Sequence, residues 1–379
     1  MKPRIGSIVR RYTAMALLLN WQLYCGGLAK ADAWQGTLAT RASAEYETNP
    51  AMSSTQHSGV WQGIFDASYT LAGRALESEI ATGLALQMAR ASNKILSPDR
   101  DSPSLFLNWL RPGKTREIGL STRYSEMSTR DAGGVDATGR VPVDSIRSSR
   151  MLSGNWREDL TERSSLSAEG AYERVTYKGG GSYTDFSSRS GGLKFSYFLN
   201  EQITSFVGAS GSKYTPVGGG PSSSLVDVTF GLNWRAEYID GSMQVGKSRV
   251  VGGRSDTQGL ISVVYAGPKA RLALNGSRAI SPSGLGGFVK TDLLRSEWSY
   301  AISEYSNTGI DLERRKDYFL TASDATTTLS TSGIWIDQYL TSFWNMRAYC
   351  RHRTAHGESV ESGSSNILGF SFAYSNPDF

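Results

Sequence analysis

From residue 34 onward, apolar side chains recur at every second position in runs of about ten residues. The clearest run places Val226, Val228, Phe230, Leu232 and Trp234 against Asp227, Thr229, Gly231, Asn233 and Arg235. Trp61, Phe65, Ala67, Tyr69 and Leu71 oppose Gln62, Asp66, Ser68 and Thr70. Near the end of the chain, Leu368, Phe370, Phe372 and Tyr374 alternate with Gly369, Ser371 and Ala373. Side chains alternate across a β-strand, so each run predicts a strand with one apolar and one wet face. A soluble sandwich would bury the apolar faces between sheets, whereas a transmembrane barrel turns them to lipid and the polar faces to a watery lumen.

The links separate these two architectures. Short links near 72–74, 111–115, 160–163, 199–202, 238–240, 267–269, 302 and 339 alternate with longer polar ones. The longer ones are 47–58, 90–102, 128–148, 179–186, 215–223, 252–256, 282–287, 317–325 and 355–365, rich in Gly, Ser, Pro and Asp. Nine long and eight short links imply eighteen antiparallel strands with both ends on the short-link side. That is an all-β, up-and-down transmembrane barrel with short periplasmic turns and longer outer loops. Segments 203–214, 241–251 and 326–338 alternate poorly, so sixteen strands remains open. Trp34, Trp61, Tyr124, Trp156, Tyr197, Trp234, Trp298 and Trp344 stand near run ends, as interfacial girdles require. The chain ends on Phe379, the kind of terminal aromatic that closes barrels, although Phe370, Phe372 and Tyr374 are out of phase with it and Pro377 intervenes.

Charge changes the picture only at the N-terminus. The chain has 379 residues, 40 Lys+Arg against 35 Asp+Glu, and a net charge of +5. Residues 1–31 hold five of the basic residues (Lys2, Arg4, Arg10, Arg11 and Lys30) and no acid, so the remainder is balanced. A basic start, an apolar stretch from Ala14 to Leu28 and two A-x-A exits read as a secretory signal peptide, cleaved after Ala31 or Ala33. Residues 34–379 then form a single barrel. A nucleic-acid footprint loses its support once the +5 is located in the signal. Cys25 lies within that segment, leaving Cys350 as one thiol with no disulfide.

The segment Ala42-Ser43-Ala44-Glu45-Tyr46-Glu47-Thr48-Asn49-Pro50 resembles the opening strand of EpsL-like outer-membrane barrels found with exopolysaccharide biosynthesis loci. That resemblance implies a passive conduit for exopolysaccharide, working with outer-membrane lipid around it and periplasmic components of an export system below. It supplies no catalytic residues.

A search for chemistry finds little. His57 lies in the first long link, and His352 and His356 flank Arg353 at a strand end, where i, i+4 spacing gives poor convergence. No G-x-S-x-G or phosphate-binding glycine loop occurs, and Asp131 to Gly139 lacks the ligand spacing of a calcium loop. Neither an enzyme nor a cofactor or metal is expected. What remains is the lumen, with Glu77, Glu79, Arg123, Arg157, Glu169, Glu173, Lys194, Asp227, Arg235, Arg295, Glu297, Asp311, Arg347 and Arg351 as lining candidates. Unpaired Arg or Lys facing lipid at mid-bilayer would cost ~2–4 kcal/mol, so these side chains must face water or one another. Two competing expectations stand beside the conduit. A general diffusion porin for small solutes would fold a constriction loop inward, with 128–148 (Asp131, Asp136, Asp144) the candidate. A barrel enzyme would depend on the histidines.

Overall fold

The computed structural model describes residues 31–52, 54, 58–75, 77–129, 145–179, 183–251, 255–319, 326–357 and 360–376. The signal segment, His57, the 130–144 stretch and Phe379 lie outside the described residues. The strands are β1 (Ala31–Glu47), β2 (Val60–Ala75), β3 (Ser78–Ala91), β4 (Arg100–Pro112), β5 (Arg116–Ser128) and β6 (Ile146–Thr161). There follow β7 (Ser164–Lys178), β8 (Phe186–Phe198), β9 (Ile203–Pro216), β10 (Ser223–Arg235), β11 (Ile239–Val250) and β12 (Ser255–Ala266). The last six are β13 (Ala270–Ser283), β14 (Gly287–Ser303), β15 (Ser306–Phe319), β16 (Thr326–Tyr339), β17 (Trp344–Gly357) and β18 (Val360–Asn376).

Each strand pairs antiparallel with its neighbours in the chain, and β1 also pairs with β18, so the eighteen-stranded sheet closes without an edge. Closure satisfies every ladder hydrogen bond internally, which is what hydrocarbon demands of a spanning sheet. The poorly alternating segments 203–214, 241–251 and 326–338 are strands β9, β11 and β16, which settles eighteen strands rather than sixteen. Small residues blur their pattern: β9 carries Gly208, Ser210, Gly211 and Ser212 on both faces. β18 stops at Asn376, before the out-of-phase terminal residues.

One face of the register is apolar all the way round. Phe230 lies between Val207 and Val245 on its two neighbours, and Cys350 lies between Ile334 and Leu368. Phe230 is 53 % exposed, Ile334 61 % and Leu368 62 %. Among the described residues eleven hydrophobic side chains are buried while more than forty large ones are exposed. A water-soluble protein does not leave so much apolar surface bare, so this belt faces lipid. All eight girdle aromatics, Trp34 to Trp344, share that outward face on the register.

The opposite face carries Arg41 against Asp66, Arg295 against Glu313 and Glu297 against Asp311, and points inward. We expect Phe230→Arg to destabilise the barrel by ~2–4 kcal/mol in lipid vesicles, from the cost of a lipid-facing cation. Thr229→Arg, one residue away but in the lumen, should cost much less. Urea unfolding followed by tryptophan fluorescence checks the pair; equal losses would mean the faces are misassigned.

The links refine the sequence pattern. On one side they span two to four residues (76–77, 113–115, 162–163, 199–202, 236–238, 267–269, 304–305 and 340–343). On the other side six of the nine are longer, and the one between β11 and β12 (251–254) has four residues. Two correct expectation: β13 and β14 are separated only by 284–286, and β17 and β18 only by 358–359. Half of 282–287 and all the described residues of 355–365 are strand. They are polar on both faces because they lie beyond the lipid belt, where the outer face meets water too.

Candidate functional site

The β13–β14 hairpin does not stand upright. Pairing of β12 with β13 ends at Gly259↔Arg278, yet β13 and β14 continue to pair with each other as far as Ser283↔Gly287. Beyond Arg278 β13 parts from β12 while β14 stays paired with β15 as far as Val289↔Phe319, and the tip leans across the mouth toward β7–β10. Its turn is tight, and Gly286 takes φ +92°, a conformation natural to glycine.

The leaning hairpin is held by a small internal core. Phe288 joins Val175, Phe186, Tyr214 and Leu225, all inward residues of β7 to β10, with Ile280 and Tyr177 packed alongside. The Tyr214 ring lies 5.1 Å from Phe186 and 6.3 Å from Phe288, measured between centroids. The Thr184 amide donates to the Gly284 carbonyl at 2.6 Å, and Lys290 Nζ meets Asp256 Oδ2 at 2.7 Å. Burial of each large side chain contributes roughly 1.5–3 kcal/mol, enough in sum to keep the hairpin down. This hairpin is an inward-folded element among the described residues; the expected constriction loop, with Asp131, Asp136 and Asp144, lies within 130–144, outside them.

Beneath it runs a polar path. Ile280, Ser281 and Pro282 of the hairpin and the inner faces of β6 to β10 enclose a cavity of about 600 Å³. A second cavity, of about 690 Å³, continues toward the short-turn side past Lys194, Phe206, Asn233 and Phe198. The two share Asn155, Glu169, Ser210 and Asp227 as walls. Each is of the size that accommodates a small molecule. The space exists because the inward positions of this wall are small: Ser153, Ser167, Ala171, Ser188, Ser190, Gly192, Gly208, Ser210 and Ser212. Hydroxyls and amides dominate its lining, with Thr204, Thr229, Gln244 and Gln258 lower down. Sequence reasoning, drawn to charges, missed this wall; the alternation of Ser and Gly at every second position was the available signal.

The charged candidates divide by height and wall. Glu77 is not on the lumen face at all: it sits in the β2–β3 turn, exposed, where Arg111 holds it at 3.0 Å. Its parity matches that of Glu79, which predicts a lumen position, but the strand begins only at Ser78. The other thirteen share the inward register. Glu117 and Arg157 stand opposite each other at the short-turn end of the β6–β10 path, with Glu169, Lys194 and Asp227 further in. On the far wall Arg295, Asp311, Glu313, Arg351 and Arg353 line a smaller cavity of about 250 Å³.

Pairing is partial. Arg347 grips Asp337 through two bonds of 2.5 and 2.6 Å, and its guanidinium lies 4.4 Å from the Trp335 ring. Glu79 takes Arg74, Glu173 takes Arg147 at 2.9 Å, Arg157 takes Asp159 at 3.0 Å and Arg235 takes Asp240 at 2.9 Å. Arg295 and Glu297 come only to 4.0 Å. Lys194 instead lies 5.6 Å over Phe206, and Arg351 lies 4.8 Å over Tyr349, whose hydroxyl donates to Glu45. Most of these pairs are solvated, where an ion pair contributes about 0–1 kcal/mol, so they shape the wall more than they stabilise it. Arg123 lies inward between Phe106 and Met151 on the register.

The opening-strand motif has a structural task. Glu47 is 3 % exposed, where β1 meets β18. It accepts from Ser365 Oγ at 3.3 Å and Gln62 Nε2 at 3.4 Å, and Arg353 approaches to 3.5 Å. Asn49 Nδ2 donates to the Ser364 carbonyl at 3.0 Å, tying the start of the first loop to β18. His352 and His356 sit on the outward face, with Nδ1 at 2.8 Å from Asn366 Oδ1 and 2.7 Å from Ser362 Oγ respectively.

No family model and no curated protein sequence matches the chain. Solved structures do. The outer membrane protein opdK from Pseudomonas aeruginosa aligns over 92 % of this chain and 100 % of that one, at 8 % identity and a TM-score of 0.50. The fold is that of an outer-membrane porin. Pseudomonas aeruginosa OccK2 (OpdF), solved in complex with glucuronate, aligns over 91 % and 99 % at 10 % identity with the same TM-score of 0.50. A bacterial polysaccharide outer membrane secretin aligns over 89 % of this chain at 9 % identity, but its TM-score of 0.36 carries no weight. The closed eighteen-stranded barrel and its lipid-facing belt place this protein in the bacterial outer membrane.

Proposed function

We propose that this barrel is a diffusion porin for small hydrophilic solutes, with the β13–β14 hairpin setting its size limit. The carrying observation is the pair of joined cavities running from the hairpin down the Ser/Gly wall, each large enough for a small solute. Hydroxyl and amide side chains along it exchange hydrogen bonds with water or polyhydroxylated solutes without holding either, as conduction requires. No catalytic step is assigned: the two described histidines face away from the lumen, each engaged by a polar neighbour.

The exopolysaccharide-conduit reading is less well supported. Its residue-level basis is the 42–50 segment, and Glu47 and Asn49 there are engaged in closing the barrel. A hairpin latched across the mouth also suits small solutes better than a polymer. Planar-bilayer recording tests the proposal. A steady open current in the absence of any partner protein, little changed by added oligosaccharide, supports the porin; a silent barrel, or one blocked by oligosaccharide, opposes it. Lys194→Glu reverses a charge on the path and should shift the reversal potential in a salt gradient toward cation selectivity, whereas no shift would remove this path as the route of ions.

A further inference from the structure

The lipid-facing side carries a feature that solute passage does not use. On the outward face of β6 to β9, near the loop end, four basic residues gather: Arg150, Arg174, Arg189 and Lys213. The register sets Arg150 directly opposite Arg174, and Arg189 directly opposite Lys213. Arg189 is also opposite Tyr172, so the two pairs form one patch across four adjacent strands. All four side chains are exposed.

Like charges directly opposed across a ladder repel, and a sequence has no structural reason to place two such pairs side by side. Among the described residues no carboxylate pairs with them. Neighbouring outward positions on these strands include Ser148, Leu152, Tyr172, Thr176, Ser187, Gly191, Gly211 and Thr215. Glu126, an outward acid on the adjoining strand β5, is engaged by Tyr124, Ser148 and Lys178. Two guanidiniums lie against outward aromatics instead, Arg150 at 5.9 Å from the Tyr124 ring and Arg189 at 5.8 Å from the Tyr172 ring.

Height identifies the anion. Each basic residue follows the apolar outward positions of its strand and precedes the loop: Leu152 then Arg150, Tyr172 then Arg174, Leu193 then Arg189, Val207 then Lys213. That is the level where the hydrocarbon ends and lipid headgroups begin, on the side away from the short turns. Lumen solutes cannot reach this face; lipid phosphates can. Guanidinium groups bind phosphate by paired, charge-assisted hydrogen bonds, and one phosphate between two opposed cations turns their repulsion into attraction.

We propose that this patch binds the phosphate groups of a phosphorylated glycolipid in the outer leaflet. Native mass spectrometry of the full barrel in neutral detergent provides the test, titrating bis-phosphorylated lipid A, the same lipid dephosphorylated, and inorganic phosphate. The intact barrel should retain the phosphorylated lipid and bind the dephosphorylated one roughly tenfold or more weakly, as the loss of charge-assisted hydrogen bonds implies. Inorganic phosphate should neither bind at the same concentration nor compete. Replacing all four residues by Gln should abolish the preference for the phosphorylated lipid. In a second variant, Arg174→Glu with Lys213→Glu converts both repulsive pairs into cross-strand ion pairs, so it should fold at least as well yet lose the lipid. Equal binding of phosphorylated and dephosphorylated lipid, undiminished binding by the Glu variant, or inorganic phosphate binding as tightly as the lipid would each overturn the proposal.

Discussion

Replacing residues 280–290 of the hairpin with a two-residue Asn-Gly turn, closed by the Ala279↔Thr291 pair, should raise single-channel conductance several-fold while leaving the barrel folded. The wall below does not depend on the tip: β13 and β14 stay paired through Arg278↔Asp292 and beyond, and Arg278 and Asp292 are joined by two bonds of 2.7 Å. What is lost is the bridge to β7–β10, made by Phe288, Ile280 and the Gly284 carbonyl. A milder change separates latch from bulk. Phe288→Ala removes the buried ring at a cost of roughly 3–5 kcal/mol, so the hairpin should detach part of the time and the current should flicker between two levels. Recordings of both variants against the intact chain check this. Unchanged conductance in the shortened barrel would mean that the hairpin does not limit flow.

The second large effect concerns stability. Glu47→Ala should lower the barrel's unfolding free energy by about 3–5 kcal/mol, because it leaves a shielded guanidinium without its carboxylate. Arg353 has a side chain only 20 % exposed, and Gln62 and Ser365 lose an acceptor at the same time. The position magnifies the loss, since β1 and β18 meet there to close the ring. Adding Arg353→Met should restore part of the stability, by removing the stranded charge. Urea midpoints from band-shift electrophoresis measure all three proteins. If Glu47→Ala unfolds with the parent, the carboxylate plays no part in closure, and the opening-strand motif would again need a functional explanation.

The parts of this architecture that local alternation governs were legible in the chain. Lipid forces a strict two-residue period, so the run from Val226 to Trp234 declares a strand without reference to anything distant. Where that pressure weakens, so does the pattern. In β9 small residues occupy both faces, because its inner face must leave room for the solute path. Past the membrane, in 355–365, both faces are wet and a strand looks like a loop. The infolded hairpin lay beyond reach for a different reason. Its position depends on Phe288 meeting Tyr214 and Leu225, more than sixty residues away in the chain. The visible trace was local: apolar Ile280, Phe288 and Val289 around a link otherwise read as polar. Charges were placed on the correct parity more readily than they were given partners, since Asp337 for Arg347 follows only from the observed register. Glu77 shows the opposite failure, correct parity but a turn rather than a wall.

The account stands most directly on what passes through the intact barrel. Liposomes carrying the purified full chain should swell in a graded series of uncharged sugars, fast with monosaccharides, slower with each added unit, and not at all with long oligosaccharides. That size cut-off should move upward when the hairpin tip is removed. Liposomes that admit long oligosaccharides as readily as monosaccharides, or that admit no sugar at all, would contradict a diffusion porin gated by its β13–β14 hairpin.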